Sequence, residues 1–110
     1  MRDISLHVLD LVQNSLAAEA TDIQITLDED LEQNLLCLTI RDNGRGMSAE
    51  QCQAALDPFY TTRTTRNVGL GLSLLQAATE RAGGQLQLYS QLGKGTTVVA
   101  SFVYHNVDRP

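Results

Sequence analysis

The chain has 110 residues and a formal net charge of −5, from eight Lys and Arg against thirteen Asp and Glu. That length suits one domain around a single core, and that charge argues against general binding to DNA, RNA or an anionic membrane. Two cysteines are too few for a disulfide framework, and no stretch is apolar enough to span a bilayer, so the sequence reads as a cytoplasmic protein with reduced thiols at Cys37 and Cys52.

Apolar residues at Ile4, Val8, Leu9, Leu11, Val12 and Leu16 follow a helical period and predict a helix over residues 4–18, with Asp3 as its N-cap. Residues 23–27 alternate apolar and polar and predict a strand. Residues 28–34 read as a polar turn, and residues 36–41 as a second strand running straight into Asp42. Ser48 with Gln51 three positions on has the form of a capping box, opening a short helix through Leu56. Residues 57–67 read as irregular, because Pro58 blocks a helix and polar residues follow Tyr60. A helix is predicted over residues 70–82, stopped by Gly83 and Gly84. Residues 86–89 and 97–104 read as strands joined by a turn at Gly93-Lys94-Gly95. Together these predict an α+β two-layer sandwich, with a mixed, mainly antiparallel sheet and helices on one face.

Asp10 and Asn14 are four apart and project from one side of the first helix. Alone they read as a solvated polar stripe, but two oxygen-bearing groups at that spacing also suit a hard cation such as magnesium. Asp42, Gly44 and Gly46 could be nothing more than the turn that ends a strand. A carboxylate in that place could also read an exocyclic amine, beside backbone that glycine leaves open. Gly69 and Gly71 open an apolar-periodic segment, where a helix N-terminus offers N–H groups to phosphate. Phe59 and Tyr60 read as core anchors, and Arg63 and Arg66 as solvated residues that could close on phosphate oxygens. Thr96, just after the Gly93–Gly95 turn, could aim its hydroxyl at a ligand. His7 and His105 read as ordinary surface or boundary histidines.

The blocks Leu9-Asp10-Leu11-Val12-Gln13-Asn14-Ser15-Leu16, Asp42-Asn43-Gly44-Arg45-Gly46-Met47, Asp57-Pro58-Phe59-Tyr60-Thr61-Thr62-Arg63, Gly69-Leu70-Gly71-Leu72-Ser73 and Gly93-Lys94-Gly95-Thr96 resemble, in order, the boxes of the Bergerat-fold (GHKL) ATPase superfamily. That superfamily includes gyrase, heat-shock chaperone ATPases, histidine kinases and mismatch-repair ATPases. The resemblance covers essentially the whole chain. Its second half looks most like the catalytic domain of sensor histidine kinases, and its first helix is closer to the mismatch-repair ATPases. The whole is similar to small stand-alone bacterial ATP-binding proteins.

The resemblance implies ATP and Mg2+ as cofactors. Asn14 would hold the magnesium that bridges the phosphates. Asp42 would accept from the adenine amino group, with Thr96 helping through water, Gly44 and Gly46 beneath the base and Met47 as part of its apolar wall. Phe59 and Tyr60 would anchor a lid that carries Arg63, and Gly69, Leu70, Gly71 and Leu72 would pass the triphosphate across a helix end. Members that hydrolyse ATP carry a glutamate four residues before the metal-binding asparagine, where this chain has Asp10, a candidate general base one methylene shorter. A displacement of about 1 Å can lower a rate on the order of 100-fold. No phosphoacceptor motif surrounds either histidine. Residues 1–110 thus read as one histidine-kinase-like ATP-binding domain, able to come from a longer chain. Its expected activity is phosphorylation of a partner protein in trans, with a slow ATPase switch or a non-catalytic ATP sensor as alternatives.

Overall fold

The computed structural model describes residues 4–57 and 70–103. In chain order these form α1 (Ile4–Ala17), β1 (Ile23–Asp30), β2 (Leu35–Asp42), α2 (Ala49–Leu56), α3 (Leu70–Arg81), β3 (Leu86–Gln91) and β4 (Gly95–Val103). The strands make one sheet in the order β1-β2-β4-β3. Every pairing among the described residues is antiparallel, so the expected mixed character is absent there and the α+β class stands.

Register explains the core. Leu36, Leu38 and Ile40 of β2 lie opposite Phe102, Ala100 and Val98 of β4, and all six are buried. Residues opposite one another share a face, so this alternation assembles one apolar face. The helices add Leu11, Ala55, Leu72, Leu75 and Ala78 to the same cluster. α1 packs against β2 and α3, α2 against β3 and α3, and α3 against β3 and β4.

Local chemistry sets the ends. Ser48 Oγ accepts from the Gln51 N–H at 3.2 Å while Gln51 Oε1 accepts from the Ser48 N–H at 2.8 Å, the reciprocal pair expected of a capping box. α3 stops where Gly83 takes φ +77°, letting the Gly84 N–H donate to the Thr79 carbonyl at 2.8 Å.

Three expectations are corrected. β1 continues to Asp30 instead of ending near Leu27, because Asp28, Glu29 and Asp30 find partners in Cys37, Leu36 and Leu35. The ladder outweighs the poor strand propensity of acidic residues, and the turn begins only where Asp30 Oδ1 accepts from the N–H groups of Glu32 and Gln33. His7 is no boundary residue. It is 1% exposed, on the stripe of α1 that also buries Leu11 and Ser15. Conversely Leu9 and Leu16, part of the expected apolar pattern, face outward. Asp3, Tyr104, His105 and residues 58–69 lie outside the described residues.

Candidate functional site

The core-facing rows of three adjacent strands all turn polar at the same end of the sheet. β2 runs Leu38, Ile40, Asp42; β4 runs Ala100, Val98, Thr96; β3 runs Leu86, Leu88, Ser90. Asp42 lies opposite Thr96, and Thr96 opposite Ser90. The hydroxyls of Ser90 and Thr96 are 2.8 Å apart. Ser90 Oγ also donates to the Gly95 carbonyl at 3.1 Å and accepts from the Met47 N–H at 2.8 Å. A serine has one proton to give. With it directed at Gly95, Thr96 is the donor to Ser90 and keeps its own lone pairs.

Asp42 is held from two sides. Its Oδ2 accepts from Ser15 Oγ at 2.7 Å, and its Oδ1 accepts from the Gly44 N–H at 2.8 Å. A carboxylate has about four acceptor positions, so half-buried Asp42 retains capacity for a further donor. Ser15 is buried on α1, and its bond ties that helix to the end of β2.

The loop from Asn43 to Ser48 is clamped between neighbours. Asn43 Oδ1 accepts from the N–H groups of Thr21 and Asp22, each at 2.9 Å, and its Nδ2 donates to Thr21 Oγ1 at 2.9 Å. The Arg45 N–H donates to the Ala18 carbonyl at 2.9 Å, and the Gly93 N–H to the Arg45 carbonyl at 2.8 Å. A Cβ on Gly44 would sit 2.9 Å from Ala18 Cβ, and one on Gly46 would collide with the Gln91 carbonyl. These glycines are therefore required by protein packing, before any ligand is considered.

The other end of the site lies where α1 meets α3. A Cβ on Gly71 would come within 2.8 Å of Asp10 Cβ. The flank of α1 carrying Asp10 and Asn14 thus faces the first turn of α3, whose N–H groups have no acceptor within their own helix. Among the described residues, Asn14 Nδ2 is buried with no hydrogen-bond partner. An unmade buried hydrogen bond costs about 1–3 kcal/mol, so this amide fits a site whose missing oxygen atoms come from a ligand. Rotating the carboxamide presents Oδ1 instead, the donor a hard cation takes. Among the described residues, no group of three or more His, Cys, Asp or Glu is arranged to hold a metal ion. A cation here would draw further oxygen atoms from water or a bound anion.

A family model described as "Histidine kinase-, DNA gyrase B-, and HSP90-like ATPase" matches residues 2–106. The chain belongs to this family. It is 34% identical over 103 residues to a protein described as a sensor protein of Shewanella frigidimarina, covering 92% of this chain and 16% of that one. It is 33% identical over 99 residues to a sensor-like histidine kinase of Rhizobium meliloti, with 86% and 19% covered. It is 32% identical over 99 residues to the C4-dicarboxylate transport sensor protein DctB of Pseudomonas aeruginosa, with 89% and 16% covered. The chain thus spans less than a fifth of the length of these relatives. Family and relatives together support ATP binding by a histidine-kinase-like domain. Among the described residues, no helix is long and apolar enough to cross a membrane.

Of the residues singled out from sequence, Asp42, Gly44, Gly46, Met47 and Thr96 gather at the polar end of the sheet, and Asp10, Asn14 and Gly71 at the α1–α3 contact. The Leu72 side chain is in the core at 4% exposure, which leaves its backbone for any ligand. Leu70 opens α3. Phe59, Tyr60, Arg63 and Gly69 lie outside the described residues. Sequence reasoning missed Ser15, Ser90 and Asn43. Ser15 carried one usable signal: a small polar residue on the buried stripe of α1 needs a partner.

Proposed function

We propose that residues 1–110 act as one ATP-binding catalytic domain that takes ATP with magnesium and serves phosphoryl transfer to a partner protein. The observation that carries this reading is that α1 touches both ends of the site. Ser15 bonds Asp42 at the sheet end, and the adjacent Asn14, on the same flank as Asp10, presents an amide that is unpartnered among the described residues.

Asp42 would accept the adenine amino group through its spare lone pairs, with Thr96 reached through water and half-buried Met47 beside the ring. The α3 N-terminus, entered through Gly69, Leu70, Gly71 and Leu72, would face the phosphates. Phe59, Tyr60 and Arg63 are proposed to close over them. Asn14 would contribute one oxygen ligand to magnesium, which would neutralise charge on the phosphates. Phosphoryl transfer depends mainly on positioning and electrostatics, so the accepting side chain can come from another protein. The free thiols of Cys37 and Cys52 and the use of ATP support a cytoplasmic setting.

One observation keeps an ATPase as the second reading. Asp10 lies on the same flank as Asn14, beside the α3 terminus, where a base acting on water would be needed. Labelled ATP with magnesium and cell extract separates the two readings. A labelled protein partner with little free phosphate supports the kinase, and free phosphate abolished by Asp10→Asn supports the ATPase. Calorimetry tests binding itself. Asp42→Ala removes a charged acceptor and should weaken ATP about 10- to 100-fold, while Asn14→Ala should erase the difference between magnesium and EDTA. Unchanged affinity in both variants would defeat the proposed site.

A further inference from the structure

Asp42 and Thr96 lie opposite one another on adjacent strands, on the core-facing side of the sheet. Side chains so placed have Cβ atoms about 4.5–5.5 Å apart, within reach of a hydrogen bond. Threonine has a proton to give and aspartate is a charged acceptor, so a bond between the two is the one that elementary chemistry favours. The structure does not make it. Thr96 instead stands 2.8 Å from Ser90, an uncharged hydroxyl on the strand at its other side.

Ser90 explains the diversion. Its Oγ has one proton and two lone pairs, and three groups contact it. The Met47 N–H can only donate and the Gly95 carbonyl can only accept. The serine proton therefore goes to Gly95, one lone pair receives Met47, and the other is left for the proton of Thr96. Only this assignment completes all three contacts at once. The consequence falls on Asp42. Ser15 and the Gly44 N–H already hold one position on each carboxylate oxygen. A donor from Thr96 would take a third of about four and draw charge from what remained.

We infer that Ser90 is a positioning residue for Asp42, acting through Thr96: it draws the threonine proton away and so keeps the carboxylate open to a ligand amine. Asp42 and Thr96 then face a ligand with acceptors alone, which suits an amino group such as that of adenine. The inference rests on the nucleotide reading above and adds to it a residue that works through another.

Calorimetry with ATP and with purine riboside triphosphate, which lacks the 6-amino group, tests it. The unaltered protein should favour ATP about 10- to 100-fold, the worth of a hydrogen bond to a charged acceptor. In Ser90→Ala the Thr96 hydroxyl turns to Asp42, so ATP should weaken several-fold more than purine riboside triphosphate does. A serine that only props up the hairpin would lower both alike, and that result would overturn the inference. Thr96→Val adds a change of sign. Alone it should weaken ATP, by loss of the acceptor reached through water. Combined with Ser90→Ala it should regain part of the lost affinity, because the competing donor is gone; a further loss there would refute the proton's role. NMR of the unaltered protein needs no variant. Cross-relaxation should place the Thr96 hydroxyl proton beside the Ser90 β-protons, and a proton directed at Asp42 would end the case. Equal binding of the two triphosphates by the unaltered protein would remove the inference and leave nucleotide binding standing. Binding of neither would defeat the nucleotide reading, and the inference with it.

Discussion

The loop after β2 and the turn between β3 and β4 both carry glycines, and they carry them for different reasons. Gly93 has φ +80° and nothing within 4 Å of where a Cβ would stand. Its requirement is conformational only. Gly46 has φ +72° and would also drive a Cβ into the Gln91 carbonyl, while Gly95 would drive one into the carbonyl of Asp42. Here the loop and the hairpin occupy each other's space. In sequence these glycines look alike, yet Gly93 is needed only for its backbone angle, while Gly46 and Gly95 form the joint between the loop and the sheet.

Gly46→Ala should break the joint. A left-handed backbone costs an alanine about 1–2 kcal/mol, and overpacking against rigid backbone adds about 1–3 kcal/mol, so urea unfolding should show a loss near 3 kcal/mol or more. A loss below about 1 kcal/mol would mean that the two turns are equivalent after all. Ser15→Ala examines the same loop from beneath. It removes a bond to a charged acceptor, worth about 1.5–3 kcal/mol, and leaves Asp42 Oδ2 without its 2.7 Å donor. Stability should fall by roughly that amount, and ATP affinity should drop about tenfold. Gly93→Ala should cost only about 1 kcal/mol, and nucleotide affinity should stay as it is, since no neighbour is displaced. The smallest effect is expected at Cys52, whose thiol burial pushes to a higher pKa. The neutral form is then favoured in the folded state. Its contribution to stability is complete below the thiol's unfolded value and declines as pH climbs through it towards the folded one. Alkylation of Cys52 should therefore be slower in the folded protein than in urea at mildly alkaline pH.

Where the motifs sat in sequence was enough to foresee which of these residues would lie near one another. The interval of four between Asp10 and Asn14 put them on one flank, and Asp42 came at the end of a strand whose next neighbour supplied Thr96. Spacing does not say which neighbour a flank meets, and the errors follow from that. His7 and Leu9 belong to the same helix, but only the positions of β2 and α3 decide that the imidazole is enclosed while the leucine is bare. β1 looked finished at Leu27, because acidic residues argue for a turn until a partner strand is seen beside them. The glycines of the loop were legible as necessary. The reason, close approach of Ala18, Gln91 and Gly95, depends on segments far away in the chain.

Asn14 and Ser15 are consecutive, and this has a mechanical consequence. One faces the helix junction and the other grips the carboxylate at the tip of the sheet, with a single peptide unit between them. Any roll or tilt of α1 moves both at once, so the two ends of the proposed site share one lever and cannot be adjusted separately. A force applied to the outer side of that helix, where its leucines are bare, would be felt at both ends together.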